Sequence, residues 1–188
     1  MKLPILAFGH PTLRKIAQPI TSEYEDLPQM IADMYETMYA SNGVGLAAPQ
    51  IGKSIRLFLV DTSPFTRDHP EEPEFKQVFI NATITETWGE DWVFNEGCLS
   101  VPELREDVSR KSNIHIEYVD ENFNVRSEDF GGLRARVIQH EYDHLEGVLF
   151  VDRVSALKKM LIKRRLSDIS RGLVTADYRM IFPFQKKR

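Results

Sequence analysis

The segment at residues 131–147, GGLRARVIQHEYDHLEG, constrains the fold of this chain more strongly than any other stretch. Helix-compatible residues between glycines at both ends predict a helix, and Gly147 suits its C-terminal cap. The helix carries an H-E-x-x-H pattern. Residues four apart lie one helical turn apart, so His140 and His144 can present their ring nitrogens to one metal ion. Glu141 lies about 100° around the helix from His140, where it can act as a general base instead of a ligand. The alternative is a charged surface helix with two unrelated histidines.

Two histidines do not complete a catalytic metal site, because such centres take three protein ligands and leave one position open. An extended pattern, HExxHxxGxxH, is matched through Gly147 and then fails, since Phe150 stands where the third histidine would be. Glu146 is too close on the helix, and no glutamate follows it. The third ligand must therefore lie upstream. The single cysteine, Cys98, is the favoured candidate, because a divalent ion stabilises a thiolate. A buried, inert thiol is the alternative.

The remaining pattern predicts an α+β fold, in which antiparallel strands and hairpins pack around the central metal-binding helix, with a further C-terminal helix. Apolar residues at helical spacing indicate the helices, and runs of β-branched or aromatic residues indicate the strands. Helices are predicted at residues 26–40, 131–147 and 154–169, and strands at residues 55–61, 78–87, 113–120 and from residue 125 onward. Residues 63–77 read as a polar surface excursion, and residues 1–188 as one catalytic domain.

Charge and hydropathy exclude several classes of protein. The net charge is −4 and the pI about 5.8, so no overall positive charge favours DNA binding. Basic residues cluster in LKKMLIKRR, residues 157–165, which leaves an RNA contact open beside the alternative of a solvated helix face. No apolar run reaches the roughly 20 residues of a membrane helix, and the first residues do not read as a signal peptide. One cysteine excludes an internal disulfide, so a cytoplasmic protein is expected. With no membrane helix, no membrane contact is expected either.

The stretch GVGLAAPQIGKS, residues 43–54, resembles a phosphate-binding loop but does not match one. Ala47 stands where the first glycine of a P-loop belongs, and the predicted flanking elements are in the wrong order for a nucleotide-binding loop. The stretch offers closely approaching backbone at Gly43 and Gly45, which suits an extended peptide. Gln50 offers an amide that can donate to an oxyanion. A tight structural turn is the alternative.

Three motifs in this order, GVGLAAPQ, EGCLSVP and QHEYDH, resemble the peptide deformylase family, marked by G-h-G-h-A-A-x-Q, E-G-C-h-S and H-E-x-D-H, where h is apolar. The resemblance implies a hydrolase that removes the N-formyl group from the initiator methionine of nascent polypeptides and releases formate. It implies one divalent ion held by Cys98, His140 and His144, with Fe²⁺ as the cellular metal and Zn²⁺, Ni²⁺ or Co²⁺ as substitutes. An HExxH metallopeptidase of other specificity is the nearest alternative. A metal-stabilised binding module and a cysteine hydrolase are more distant ones.

The resemblance also assigns roles to the residues around the metal ligands. Glu141 would be the acid/base, Gln50 and the backbone N–H of Leu99 would form the oxyanion hole, and Gly45 would bond the substrate backbone. The positions around the methionine pocket are occupied here by Val44, Phe94, Leu133 and Val137, with Arg105 near its mouth. Arg136 departs from the family pattern, since that helix position is often apolar. The segment 63–77 and the tail RGLVTADYRMIFPFQKKR match no family pattern. The expected partners are N-formylmethionyl nascent peptides, and the ribosome through the basic C-terminal helix.

Overall fold

A computed structural model describes residues 1–65 and 74–184 of the chain. Three helices and seven strands organise these residues, together with short 3-10 turns. The helices are α1 (Leu27–Ala40), α2 (Gly132–Leu145) and α3 (Ala156–Ser170). The strands are β1 (Ile5–Leu6), β2 (Gly45–Ala47), β3 (Leu57–Asp61), β4 (Lys76–Cys98), β5 (Val101–Val119), β6 (Val125–Gly131) and β7 (Met180–Ile181). The architecture is α+β, which confirms the fold class predicted from the sequence.

Strands β2 to β6 form one antiparallel sheet in sequential order. Short connections link neighbouring strands, with one exception. The connection between β3 and β4 covers most of the surface excursion predicted at residues 63–77, but residues 76 and 77 belong to β4, and Phe65 and Phe75 pack against the core. Residues 66–73 lie outside the described part of the chain. The predicted strands at 55–61, 78–87, 113–120 and from 125 are all present, and the first begins at Leu57.

The hairpin of β4 and β5 is much longer than the sequence pattern predicts. β4 spans 23 residues and β5 spans 19. Residues 85–91 of β4 are exposed on both faces, so this part of the hairpin lacks the apolar alternation by which half-buried strands are recognised. Shifts of register interrupt the ladder at several points, including the one between Trp88 and Asp91 and the one between Gly97 and Cys98. Only two residues, Leu99 and Ser100, connect β4 to β5, and this tight turn fixes Cys98 at the end of its strand.

Helix α2 packs against the inner face of the sheet. Its apolar residues Ile138 and Leu145 share a buried cluster with Phe58 and Phe79 from the sheet. Gly147 ends the helix with φ +69°, and a Cβ there would lie 2.7 Å from the backbone oxygen of Arg14. The predicted C-terminal cap is therefore confirmed, and the requirement for glycine is both conformational and steric. The histidine-bearing helix lies at the centre of the fold, as the sequence predicts.

The tail returns across the molecule after α3. β7 pairs in parallel with β1, so that Ile5 lies opposite Met180 and Leu6 opposite Ile181. The final residues 185–188, which include the terminal basic cluster KKR, lie outside the described part of the chain. Among the described residues, no helix combines the length and apolarity needed to cross a membrane.

Candidate active site

The side chains of Cys98, His140 and His144 converge at one point between the β4–β5 turn and helix α2. Their ligand atoms all lie within 4.8 Å of one another. The Cys98 Sγ and His144 Nε2 atoms lie 3.3 Å apart, and the two imidazole ring centroids are separated by 5.4 Å. Burial lowers the pKa of His144, which keeps its ring neutral, the form that binds metals. One thiolate and two imidazoles suit a transition metal or zinc.

Glu96 orients the His140 ring through a hydrogen bond to its Nδ1 atom. The Nδ1 atom of His140 donates to the Glu96 carboxylate at 2.9 Å, which leaves Nε2 free for a metal ion. Arg110 also donates to Glu96, at 2.7 and 2.9 Å. Burial opposes ionisation of Glu96, but the hydrogen bonds from Arg110 and His140 hold its pKa below the ordinary value. The carboxylate is therefore ionised, and it fixes the ring orientation of His140.

Arg110 joins two of the sequence motifs. Besides Glu96 of the EGCLS motif, it donates to Asp143 of the HEYDH motif at 2.8 Å. Arg153 also donates to Asp143, at 2.6 Å through Nε. The motif aspartate is thus part of a buried ion-pair network that ties α2 to β4 and β5. It is not a fourth ligand.

Phe150 occupies the place that a third histidine would take in the extended HExxH pattern. Its ring stacks on His140 with centroids 6.1 Å apart and planes at 26°. The side chain supports the histidine by packing, since Cys98 supplies the third donor atom from the other side.

Glu141 lies against the β2 strand. A Cβ added at Gly45 would lie 2.4 Å from Glu141 Oε1, so the carboxylate and the glycine are in direct contact. Burial raises the pKa of Glu141 to about 7, against the charge of His140, which lowers it. Its Oε2 atom is buried and has no hydrogen-bond partner among the described residues. A carboxyl group whose pKa lies near neutral pH and which has a free oxygen is suited to accept and return a proton.

Gln50 and the β4–β5 turn form the opposite side of the site. The backbone N–H of Ala47 donates to Gln50 Oε1 at 2.8 Å, which sets the orientation of the amide. The Nε2 atom of Gln50 is then 3.5 Å from Cys98 Sγ and donates to Ser100 Oγ at 3.3 Å. The amide nitrogen is held beside the convergent ligands, where an oxyanion would form.

A cavity of about 380 Å³ opens over these groups. Most of the sequence-predicted site residues line it: Val44, Gly45, Gln50, Phe94, Cys98, Leu99, Arg105, Val137, His140 and Glu141. Two are not among the lining residues. His144 is buried behind Cys98, and Leu133 is buried one helical turn before Val137. Arg105 is exposed at the edge and bonds Asn95, its Nε atom at 3.0 Å from the Asn95 side-chain oxygen.

Sequence reasoning missed several residues of the site. The buried partners Glu96 and Arg110 were not predicted, although Glu96 lies inside the EGCLS motif, which could have drawn attention to it. Arg136, noted from the sequence as a departure, lines the cavity. It donates to Glu96 at 2.9 Å, and its guanidinium lies 4.9 Å from the Trp92 ring centroid. Tyr178 also lines the cavity, and no local pattern in the tail indicates that.

Comparison with known proteins agrees with the geometry of the site. The model of the polypeptide deformylase family matches residues 2–160. A peptide deformylase of Flavobacterium johnsoniae is 53% identical over 194 aligned residues, covering 100% of this chain and 99% of the relative. A peptide deformylase of Salinibacter ruber is 42% identical and covers 96% of this chain and 95% of the relative.

Solved structures give the same result. The crystal structure of a peptide deformylase from Legionella pneumophila superimposes with a TM-score of 0.79 at 38% identity, covering 92% of this chain and 98% of that chain. A class I type b peptide deformylase from Acinetobacter baumannii, crystallised with Met-Ala-Ser, gives a TM-score of 0.76 at 37% identity. It covers 82% of this chain and 99% of that chain. With the family model and full-length relatives in agreement, this chain belongs to the peptide deformylase family of metal-dependent hydrolases, which remove the N-formyl group from nascent polypeptides.

Proposed function

We propose that this chain hydrolyses the formyl amide of N-formylmethionyl peptides at the cavity over Cys98, His140 and Glu141. The observation that carries the proposal is the convergence of a three-donor metal site, a buried carboxyl group and an oriented amide in one cavity. The donor set fits a divalent ion, because its three atoms are mutually close and Glu96 leaves one nitrogen of His140 free. A divalent ion held by Cys98, His140 and His144 would polarise the formyl carbonyl and acidify water.

Glu141 is the proton carrier in this proposal. It accepts a proton from the water molecule that adds to the formyl carbon, and it returns that proton to the nitrogen as the C–N bond breaks. Formate and a free N-terminal amine are the products. The near-neutral pKa that burial gives Glu141 suits both directions of transfer.

Replacing Glu141 with alanine tests this role. We expect the Glu141→Ala variant to keep its metal and to lose turnover by about 100- to 10,000-fold. The metal content is measured by elemental analysis and the rate by formate release. Turnover near the wild-type rate would remove Glu141 from the chemistry.

Gln50 and the backbone N–H of Leu99 stabilise the oxygen that becomes negative when water adds. Gln50 is already oriented by Ala47, so little reorganisation is needed as the charge develops. Loss of such a donor costs about 100- to 1,000-fold in rate. Gly45 lies at the cavity wall within strand β2, where its backbone can bond an extended substrate.

The methionine side chain is proposed to lie in the apolar part of the cavity. Val44, Phe94 and Val137 line it, Leu133 supports it from within the helix, and Arg105 lies at its mouth. The relative from Acinetobacter baumannii binds the peptide Met-Ala-Ser in its crystal structure. That tripeptide is the deformylated form of the substrate proposed here, which supports the assignment.

A substrate panel separates deformylation from the alternative of an HExxH metallopeptidase. Metal-loaded protein is incubated with formyl-Met-Ala-Ser, acetyl-Met-Ala-Ser and an unblocked longer peptide. We expect formate release from the first and no cleavage of the other two. Cleavage of internal bonds in the longer peptide without formate release would favour the peptidase.

We propose Fe²⁺ as the cellular metal, with Zn²⁺, Ni²⁺ or Co²⁺ able to occupy the same donors. Imidazole and thiolate ligands bind all four of these ions. Purification without oxygen followed by metal analysis tests the assignment. Zinc as the dominant metal in anaerobically purified, active protein would contradict it.

A contact with the ribosome is proposed for helix α3. Lys159, Lys163 and Arg164 are exposed on it, whereas Lys158 pairs with Glu106 at 3.0 Å. Exposed positive charge favours RNA phosphates. Reversing the charges of Lys159, Lys163 and Arg164 should abolish cosedimentation with ribosomes, and reversing the exposed Lys15 and Lys53 should not. Cosedimentation that survives the first set would overturn the proposal.

We propose that residues 1–188 act as one catalytic domain in the cytoplasm, where nascent chains are made. The lining of the cavity runs from Asn42 to Tyr178 and so draws on strands β2, β4 and β5, helix α2 and the tail. Limited proteolysis should therefore yield no smaller active fragment.

A further inference from the structure

The C-terminal tail brings one side chain into the active site. After α3 the chain runs to β7, which pairs with β1. The backbone N–H of Ile5 donates to the Arg179 carbonyl at 2.9 Å, directly after Tyr178. Tyr178 is thereby held beside the cavity and forms part of its wall. The family model ends at residue 160, before this tail.

The Tyr178 hydroxyl makes one well-formed hydrogen bond there. It donates to the backbone carbonyl of Leu99 at 2.8 Å. Leu99 follows the metal ligand Cys98, and the proposed oxyanion hole uses the N–H of the same residue. A residue outside the family model therefore contacts the backbone of the catalytic turn.

The other groups of this turn are also held by neighbours. Gln50 donates to the Ser100 hydroxyl at 3.3 Å, and the backbone N–H of Phe8 donates to the Ser100 carbonyl at 2.8 Å. A Cβ at Gly43 would lie 2.8 Å from the Leu99 side chain, so Leu99 packs closely against this glycine. In a two-residue connection the torsions are few, so fixing the Leu99 carbonyl also limits the swing of its N–H.

We propose that Tyr178 is a positioning residue of the active site: its hydroxyl holds the Leu99 backbone so that the Leu99 N–H points at the oxyanion. This inference rests on the proposed role of Leu99 in deformylation. The chain thus uses its tail, which matches no family pattern, to rigidify an element that the family shares.

The Tyr178→Phe variant removes the hydroxyl and keeps the ring. With formyl-Met-Ala-Ser we expect kcat to fall about 3- to 10-fold, the effect of one lost hydrogen bond. KM should stay within about 2-fold, because the bond matters in the transition state. Metal content should match the wild type, and the melting temperature should fall by no more than a few degrees, about the effect of one lost hydrogen bond. An unchanged kcat, or a raised KM at unchanged kcat, would overturn the proposal.

Tyr118→Phe is the matched control. Its hydroxyl donates to Glu128 at 2.8 Å, and its ring is buried in the sheet, outside the cavity lining. We expect its kcat to equal that of the wild type. If Tyr118→Phe lowers kcat as much as Tyr178→Phe does, the effect is general destabilisation and the positioning role is wrong.

Hydrogen exchange gives a readout that does not depend on turnover. In Tyr178→Phe the backbone amides of residues 98–101 should exchange faster, and those of α1 should not change. Equal exchange in both proteins would refute the positioning role. A wild-type chain that releases no formate would contradict the proposed function, whereas the exchange result would still report on Tyr178.

Discussion

Gly45 and Glu141 show how far single residues determine this site. The glycine lies so close to the carboxylate that any larger side chain must displace it. The HExxH spacing predicts His140, His144 and Glu141 as site residues, the lack of another third donor favours Cys98, and Gln50 is predicted as the polar amide of its loop. The sequence does not predict that Gly45 sets the position of Glu141, because spacing along the chain carries no information about contacts between distant residues. Tyr178 was missed for the same reason.

The Gly45→Ala variant tests this contact. The added methyl group should push the Glu141 carboxylate aside and lower kcat by about 100-fold, as a displacement of 1 Å can do. Metal content should stay unchanged, since the three atoms nearest to an added Cβ all belong to Glu141.

A double-variant cycle supplies the control. In the Glu141→Ala variant, adding the Gly45→Ala substitution should lower kcat little further, because the carboxylate that the methyl group would displace is already absent. Full additivity of the two losses would show that Gly45 acts through the substrate backbone and not through Glu141.

The elements around the site are joined by buried ion pairs that follow no local pattern. Helix periodicity and β-branched runs predict the helices and the inner halves of the strands. They do not predict the extension of the β4–β5 hairpin, because residues 85–91 of β4 are exposed on both faces and show no alternation. Arg110 lies on that hairpin and connects it to α2 through Glu96 and Asp143. Such long-range pairing depends on register, which the sequence does not reveal.

Substituting Arg110 with methionine should lower the free energy of unfolding by about 3–5 kcal/mol, because two buried carboxylates lose a shared partner. Denaturant unfolding measures the loss. The neighbouring Lys111 pairs with Asp91 at 3.3 Å on the surface, and Lys111→Met should cost no more than about 1 kcal/mol. Equal losses in both variants would contradict the view that α2 is anchored through Arg110.

The β5–β6 turn gives a pH-dependent contribution to stability. Asp120 accepts the N–H groups of Asn122 and Asn124 at 2.9 Å each. Burial works against ionisation of Asp120, but the hydrogen bonds from Asn124 and Arg126 lower its pKa to about 2. The unfolded value is about 3.9. The ionised Asp120 carboxylate therefore stabilises the fold fully above pH 3.9, and this stabilisation is lost as the pH falls toward 2.

Asp120→Asn should be less stable than the wild type at neutral pH, and the difference should shrink as the medium is acidified through that window. Denaturant unfolding at a series of pH values measures it. A difference that stays constant from neutral to acidic pH would show that the ionised carboxylate is not what stabilises the turn.

At the scale of the whole molecule, the candidate metal site lies between the long hairpin and the central helix. Cys98 comes from the end of β4, and both histidines come from α2. The sequence predicts the α+β class and the central helix correctly, because β-branched runs surround a helix-compatible segment between two glycines. It does not predict that the tail forms a second sheet with the N-terminal strand, because strands of two residues leave no recognisable pattern.

Removal of the metal should therefore lower the melting temperature, since an ion that binds the folded state stabilises it. A chelator titration followed by calorimetry measures the shift. The Cys98→Ala variant should show weak metal binding and a melting temperature that the chelator does not change. A wild-type protein whose melting temperature is indifferent to chelation would argue against a bound ion at these three residues.

The residues that line the cavity are spread along the chain, which determines when the site is complete during synthesis. Because the three candidate donors come from residues 98 to 144 and Tyr178 completes the wall, a growing copy lacks the site until helix α2 has been translated and lacks the full wall until the tail has followed.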